Sequence, residues 1–132
     1  MSDKKTDNQI LKAQFNDLDE EQQERFFEIK RKEIKEKYKS ILPKNVRTHI
    51  VVLENGFGCI LKHPKPQILS KALGAMSGIN GEPDMFKAGK HILDNCWVVG
   101  DEEIKKNDDF LFAAALQALA LVEILQGSIK KN

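Results

Sequence analysis

The sequence predicts an α+β domain, mostly α: one β-hairpin at about 46–62 packed with helices around a central apolar C-terminal helix, with a long charged helix in front. Three observations predict it. Between Phe110 and Leu125 only Gln117 and Glu123 are polar, and a helix that apolar on every side sits in the middle of a fold. Two short β-prone runs, 46–53 and 57–62, flank Asn55-Gly56, the strongest short hairpin signal. Residues 17–39 are densely charged, with apolar positions at helical spacing. The expected organisation is a flexible N-terminal tail over 1–16, a charged helix over 17–42, a compact α+β domain over 43–127 and a C-terminal tail over 128–132. At 132 residues such a chain is one domain, able to bury about two-thirds of its unfolded surface.

Residues 1–16 are mostly polar, with Ile10, Leu11 and Phe15 as the large apolar exceptions. They read as a mobile tail carrying at most a short helix; the sharper alternative is a peptide that docks those three side chains on a neighbouring subunit. Asp17 with Glu20, or Asp19 with Gln22, starts the charged helix as a capping box. Glu21 with Arg25, Glu28 with Lys32 and Glu33 with Lys37 are favourable pairs at i, i+4. Phe27, Ile34, Tyr38 and Ile41 trace one narrow seam, suited to leaning on the domain or on a partner along one edge.

Leu42-Pro43 ends that helix. If Asn55-Gly56 is a two-residue turn, Val52 faces Cys59 and Ile50 faces Leu61. The expected core face is then Val46, Thr48, Ile50, Val52, Phe57, Cys59 and Leu61. A lone hairpin is marginal, so helices must cover it or another strand must pair with it. An exposed edge would accept an extended segment of a partner. Pro66 suits the first turn of the next helix, whose inner face is Ile68, Leu69, Ala72, Leu73, Met76 and Ile79. Pro83 opens a further helix with Met85, Phe86, Gly89, Ile92, Leu93 and Cys96 inside. Asp101 is placed to cap a short helical turn at 102–106. Asn107 caps the last helix, Asp108 and Asp109 favour its N-terminal dipole, and Gly127 marks its end. Ala113, Ala114, Ala115, Ala118 and Ala120 read as close-approach positions, with Gln117 and Glu123 on the less covered side. Leu116 and Leu119 are expected in the core.

Charge and composition bound the function. Twenty-one basic residues balance twenty acidic ones, so no global field draws in nucleic acid or membrane. The first nine residues lack the apolar core of a signal peptide. The apolar runs of the last helix are shorter than the ~20 residues a bilayer requires, so no membrane span is expected. Cys59 and Cys96 lie in apolar runs and read as reduced, buried thiols of an intracellular protein.

A metal site is tested by Cys59, His63, His91 and Cys96. Cys59 and His63 would stand about 13 Å apart on a strand, and His91 and Cys96 point about 140° apart on a helix, so these four do not converge and no cofactor or metal is expected. Ser70 and Ser77 have no strained elbow or His–carboxylate order around them. Cys96 reads as a packed thiol and not a nucleophile. The acids at 101–109 are explained as caps. No enzymatic activity is expected. The Lys30-Arg31-Lys32 cluster is interleaved with acids and reads as a solvated face. Lys44, Arg47, His49, Lys62, His63 and Lys65 gather at the open end of the hairpin; they read first as a solvated edge, then as a patch for an acidic protein surface, and last as one for nucleic acid. The candidate partner-binding residues are therefore Phe27, Ile34, Tyr38, Ile41, Arg47, His49 and Lys62.

Lys62-His63-Pro64-Lys65-Pro66, entering a helix, and the run Ile92-Leu93-Asp94-Asn95-Cys96-Trp97-Val98-Val99-Gly100-Asp101 are followed by Glu102-Glu103-Ile104 and an acid-capped, alanine-rich terminal helix. Over residues 46–125 this resembles the tail assembly chaperone-like group of small bacteriophage proteins. The resemblance implies a non-catalytic protein that binds other phage structural or assembly proteins during tail or virion assembly. It places the protein in the cytoplasm of a bacterial host or in the virion, with a homo-oligomer as a further arrangement. The alternative is a small nucleic-acid-associated regulator using the basic residues of the N-terminal helix and the hairpin patch.

Overall fold

The fold is described from a computed structural model, over residues 5–78 and 81–130, with side chains of the last helix as far as Val122. Helices α1 (Asp7–Lys12) and α2 (Glu20–Lys37) lead into strands β1 (Thr48–Val52) and β2 (Gly58–Lys62). Helices α3 (Pro66–Ser77) and α4 (Met85–Cys96), strand β3 (Trp97–Gly100), and helices α5 (Glu103–Lys106) and α6 (Asp108–Lys130) follow. The architecture is α+β and mostly α. The sheet is antiparallel in the order β1-β2-β3, and helices cover both of its faces. Among the described residues no helix is long and apolar enough to cross a membrane.

The main core lies on one sheet face. Val51, Leu53, Cys59 and Leu61 meet Ala72 of α3, Ala88, Ile92, Leu93 and Cys96 of α4, Ile104 of α5, and Ala114, Ala118, Leu119 and Val122 of α6. On the opposite face Ile34 of α2 closes over Val52 and Ile60, with Phe27, Tyr38, Leu42, Ile50 and Val99 around them. A third cluster joins Ile10 of α1, Leu18 and Phe26.

Helix ends follow local chemistry. Thr6 with Gln9 and Asp19 with Gln22 form reciprocal capping boxes at α1 and α2. Asn107 Oδ1 accepts from the N–H groups of Asp109 and Phe110 at the start of α6. Pro66 stands in the first turn of α3, and Gly78, with φ +70°, closes that helix; Ile79 lies outside the described residues. Helices α4 and α6 meet closely because Gly89 has no side chain: a Cβ there would run into the Ala115 backbone. That contact explains why Ala114, Ala115 and Ala118 are fully enclosed.

Several expectations need correction. The segment expected as a tail folds back on its own chain: Ile10 is buried, Phe15 sits edge-on to Phe26 with centroids 5.5 Å apart, and Arg25 pairs with Asp7 at 2.9 Å. The docking surface for that peptide is α2 of the same molecule. Arg25 also reaches Glu28, and Lys30 reaches Glu33, in place of the expected i, i+4 pairs. The hairpin loop has three residues, Glu54-Asn55-Gly56, with Leu53 N–H donating to the Phe57 carbonyl at 2.8 Å and Gly56 at φ +94°. That slips the register by one, pairing Val51 with Cys59 and Ile50 with Ile60, and turns β1 over. Thr48, Ile50 and Val52 face α2, while the expected partners Cys59 and Leu61 keep to the main core. Val46, expected in the core, is exposed.

The hairpin gains a third strand. The chain passes from Cys96 at the end of α4 straight into Trp97 of β3, which pairs with β2. Asp101 does not cap α5; its Oδ2 accepts from the Gly58 N–H at 2.9 Å and ties the end of β3 to β2. Asp84, and not Pro83, opens α4, accepting from the Lys87 N–H, and Met85 is exposed. Helix α6 continues through Gly127 to Lys130. Its sheath is one-sided. Phe112 and Leu116 keep 49% and 41% of their surface, and Ala120 is exposed, because the other helices and the sheet pack mainly on the opposite face. Gln117 lies on the open side as expected; the Glu123 side chain lies outside the described residues.

Candidate partner-binding surface

The sequence-derived seam is largely used within the molecule. Ile34 is 7% exposed against Val52 and Ile60, and Tyr38 packs at the edge of the same cluster. Phe27 bridges the clusters on either side of α2. Only Ile41, 58% exposed, presents a large apolar surface. The seam therefore fastens α2 to the outer sheet face, and its burial makes α2 part of the fold.

The basic candidates do gather at the open end of the hairpin. Arg47 and Lys62 are exposed, and the His63 N–H donates to the Arg47 carbonyl at 2.8 Å, extending the ladder beyond β1. His49 and His63 stand diagonally on the same face, Nε2 to Nδ1 2.9 Å, so one ring N–H is shared between them. Burial, then His63 and Arg47, hold the His49 pKa below its ordinary value. The pair is thus a hydrogen-bonded plug at the margin of the core, between exposed cations.

An apolar groove opens at the other end of the hairpin. Phe27, Leu53, Phe110, Phe112, Leu116 and Gln117 bound a volume of about 550 Å³ between α2, the hairpin loop and the uncovered side of α6. Phe110 stands edge-on to Phe57 at 5.4 Å, which fixes one wall. Phe112 stacks on Phe86 of α4 at 5.7 Å. Gln117 reaches from the groove to the sheet edge: its Nε2 donates to the Val52 carbonyl at 2.7 Å. Sequence reasoning missed this surface. Phe112 and Leu116, four residues apart on one helix face, carried the signal, but in a helix apolar all round nothing local distinguished the open side.

A second depression, about 610 Å³ between α3 and α4, mixes Lys71, Lys87 and Lys90 with Asp84 and Asp94. Lys90 and Asp94 pair at 2.7 Å, which leaves Lys71 and Lys87 against Asp84, an excess of one cation. Cys59, His63, His91 and Cys96 do not form a ligand set; among the described residues no group of three or more His, Cys, Asp or Glu could hold a metal ion. Both cysteines are free and buried. Burial, reinforced by the Asp101 carboxylate, pushes the Cys59 thiol up to about 12, and burial raises Cys96 as well. Neither supplies a thiolate near neutral pH. No family model, curated protein or solved structure matches this chain.

Proposed function

We propose that the protein is a non-enzymatic, protein-binding assembly factor or minor structural component of a bacteriophage, acting in tail or virion assembly. The observation that carries the binding part is the uncovered side of α6: Phe112 and Leu116 stay exposed beside an apolar groove. Large apolar side chains grouped on one face of a small domain favour burial against another protein. At about 25 cal/mol per Å² of apolar area, covering two such side chains supplies a few kcal/mol, enough to anchor an interface. The phage context rests on the resemblance of residues 46–125. The partners are other phage structural or assembly proteins, met in the bacterial cytoplasm or in the virion.

The test is size-exclusion chromatography with light scattering, on the protein alone and mixed with phage tail proteins. The expected result is a complex with at least one of them. A monomer that binds none would sink the reading. The exposed cations at the open end of the hairpin support the second reading, a nucleic-acid-associated regulator; it predicts duplex DNA binding that weakens steeply with salt.

A further inference from the structure

The register that displaced the expected pairing also decides which backbone groups of β1 are left over. In an antiparallel pair, alternate residues exchange both their hydrogen bonds with the neighbour while the residues between them point away. Leu53 bonds to Phe57 and His63 to Arg47, so the odd-numbered residues of β1 turn their N–H and C=O groups towards β2. Thr48, Ile50 and Val52 turn theirs outwards. The Val52 carbonyl is already met by the side-chain amide of Gln117 at 2.7 Å, which stands where a neighbouring strand would place its own N–H. The N–H and C=O groups of Thr48 and Ile50 have no partner among the described residues.

The surroundings of this edge are unequal. Towards Val52 it opens into the groove of Phe27, Phe112 and Leu116. Towards Thr48 it is preceded by exposed Val46 and by the exposed cations Lys44 and Arg47, with Lys62 and Lys65 across the hairpin end. An edge protected against pairing carries a bulge, an inward charge or a covering element. β1 has five paired residues without a bulge, and among the described residues the Gln117 side chain makes the one hydrogen bond to its outer edge.

We propose that the outer edge of β1 accepts an extended segment of a partner protein as a fourth strand. The segment is apolar where it passes Phe27, Phe112 and Leu116 and acidic where it passes Arg47 and Lys44. Main-chain hydrogen bonds to Thr48, Ile50 and, after Gln117 swings away, Val52 hold it, and the alternating side chains read the groove and the cations. This rests on the protein-binding reading above and specifies its mode.

The probes are two synthetic peptides of alternating valine and threonine, one with aspartates at the N-terminus and one at the C-terminus, and lysine-ended counterparts. Amide hydrogen exchange on the full chain reads Thr48 and Ile50 directly. With either aspartate peptide at saturation both amides are expected to slow about tenfold or more, and the lysine-ended counterpart is expected to bind about tenfold more weakly. Thr48→Pro removes an outward N–H at the first position of an edge strand, where proline is tolerated. It should abolish peptide binding while Thr48→Val retains it. If Thr48→Pro does not fold, the exchange measurement on the unaltered chain still decides. Unchanged Thr48 and Ile50 amides with both aspartate peptides would overturn the proposal. So would undiminished binding by folded Thr48→Pro, or protection that appears without peptide as the mass doubles, which would make a second copy the occupant. Peptide effects confined to Phe86, Phe112 and Leu116 would remove the strand-acceptor mode and leave protein binding standing.

Discussion

Ile60 is enclosed at the centre of the sheet, on the face that α2 covers. Its truncation to alanine leaves a cavity between two elements that cannot collapse, and should cost about 2–5 kcal/mol in denaturant unfolding. Leu116→Ala should cost only about 0.5 kcal/mol or less, because that side chain stands largely in solvent. A loss as large as that for Ile60 would mean that α6 is covered on the side described as open. The histidine pair gives a pH signature. His49 titrates below its ordinary value of about 6.5 when folded, so between the two values the unfolded chain binds more protons. Its contribution is therefore fully present above about pH 6.5 and is lost as pH falls through the window below. Thermal melts should show stability falling on acidification below that point, and His49→Gln should flatten the slope; a slope unchanged by the substitution contradicts the pair. Cys59 and Cys96, buried and with raised pKa values, should resist a thiol reagent in the folded protein and react only on unfolding. Rapid stoichiometric modification at neutral pH would contradict their burial.

At the scale of elements, the sequence made some features legible and hid others for identifiable reasons. Asn55-Gly56 announced the hairpin, and Asn107, Asp108 and Asp109 announced the start of α6. The register stayed hidden because Ile50-Val51-Val52-Leu53 is apolar on both faces. A strand buried on both sides has no parity that alternation can reveal, and the second cover, α2, is remote in sequence. β3 was missed because it begins where α4 stops, without a turn residue between Cys96 and Trp97. Helix α1 did carry a signal, the Thr6–Gln9 capping box, which the polar composition around it obscured. Seven seam and patch residues were expected to meet a partner. Four of them, Phe27, Ile34, Tyr38 and His49, pack wholly or partly within the chain, and Phe27 also bounds the open groove with the missed residues Phe112, Leu116 and Gln117. The Gly89 crossing is testable on its own. Gly89→Ala drives a Cβ against the Ala115 backbone and should destabilise by about 1–3 kcal/mol, despite the better helix propensity of alanine. A neutral or stabilising result would show that α4 and α6 stand further apart.

At the scale of the molecule, the three apolar clusters divide the labour. One binds α3, α4, α5 and α6 to the sheet, one fastens α2 across its other face, and one folds α1 back on α2. This layering uses most of the narrow seam and both cysteines, and among the described residues it leaves Phe112 and Leu116 of α6 largely exposed and the backbone groups of Thr48 and Ile50 unpaired. This uncovered region is where we propose that another protein binds. That binding is tested most directly by measuring complex formation with phage tail proteins for the unaltered chain and for the double variant Phe112→Ser, Leu116→Ser, each by size exclusion with light scattering, with thermal melts in parallel. The variant is expected to keep its melting temperature to within about 3 °C and to lose the complex. A variant that binds as well as the unaltered chain, or an unaltered chain that binds none of those proteins, would contradict it.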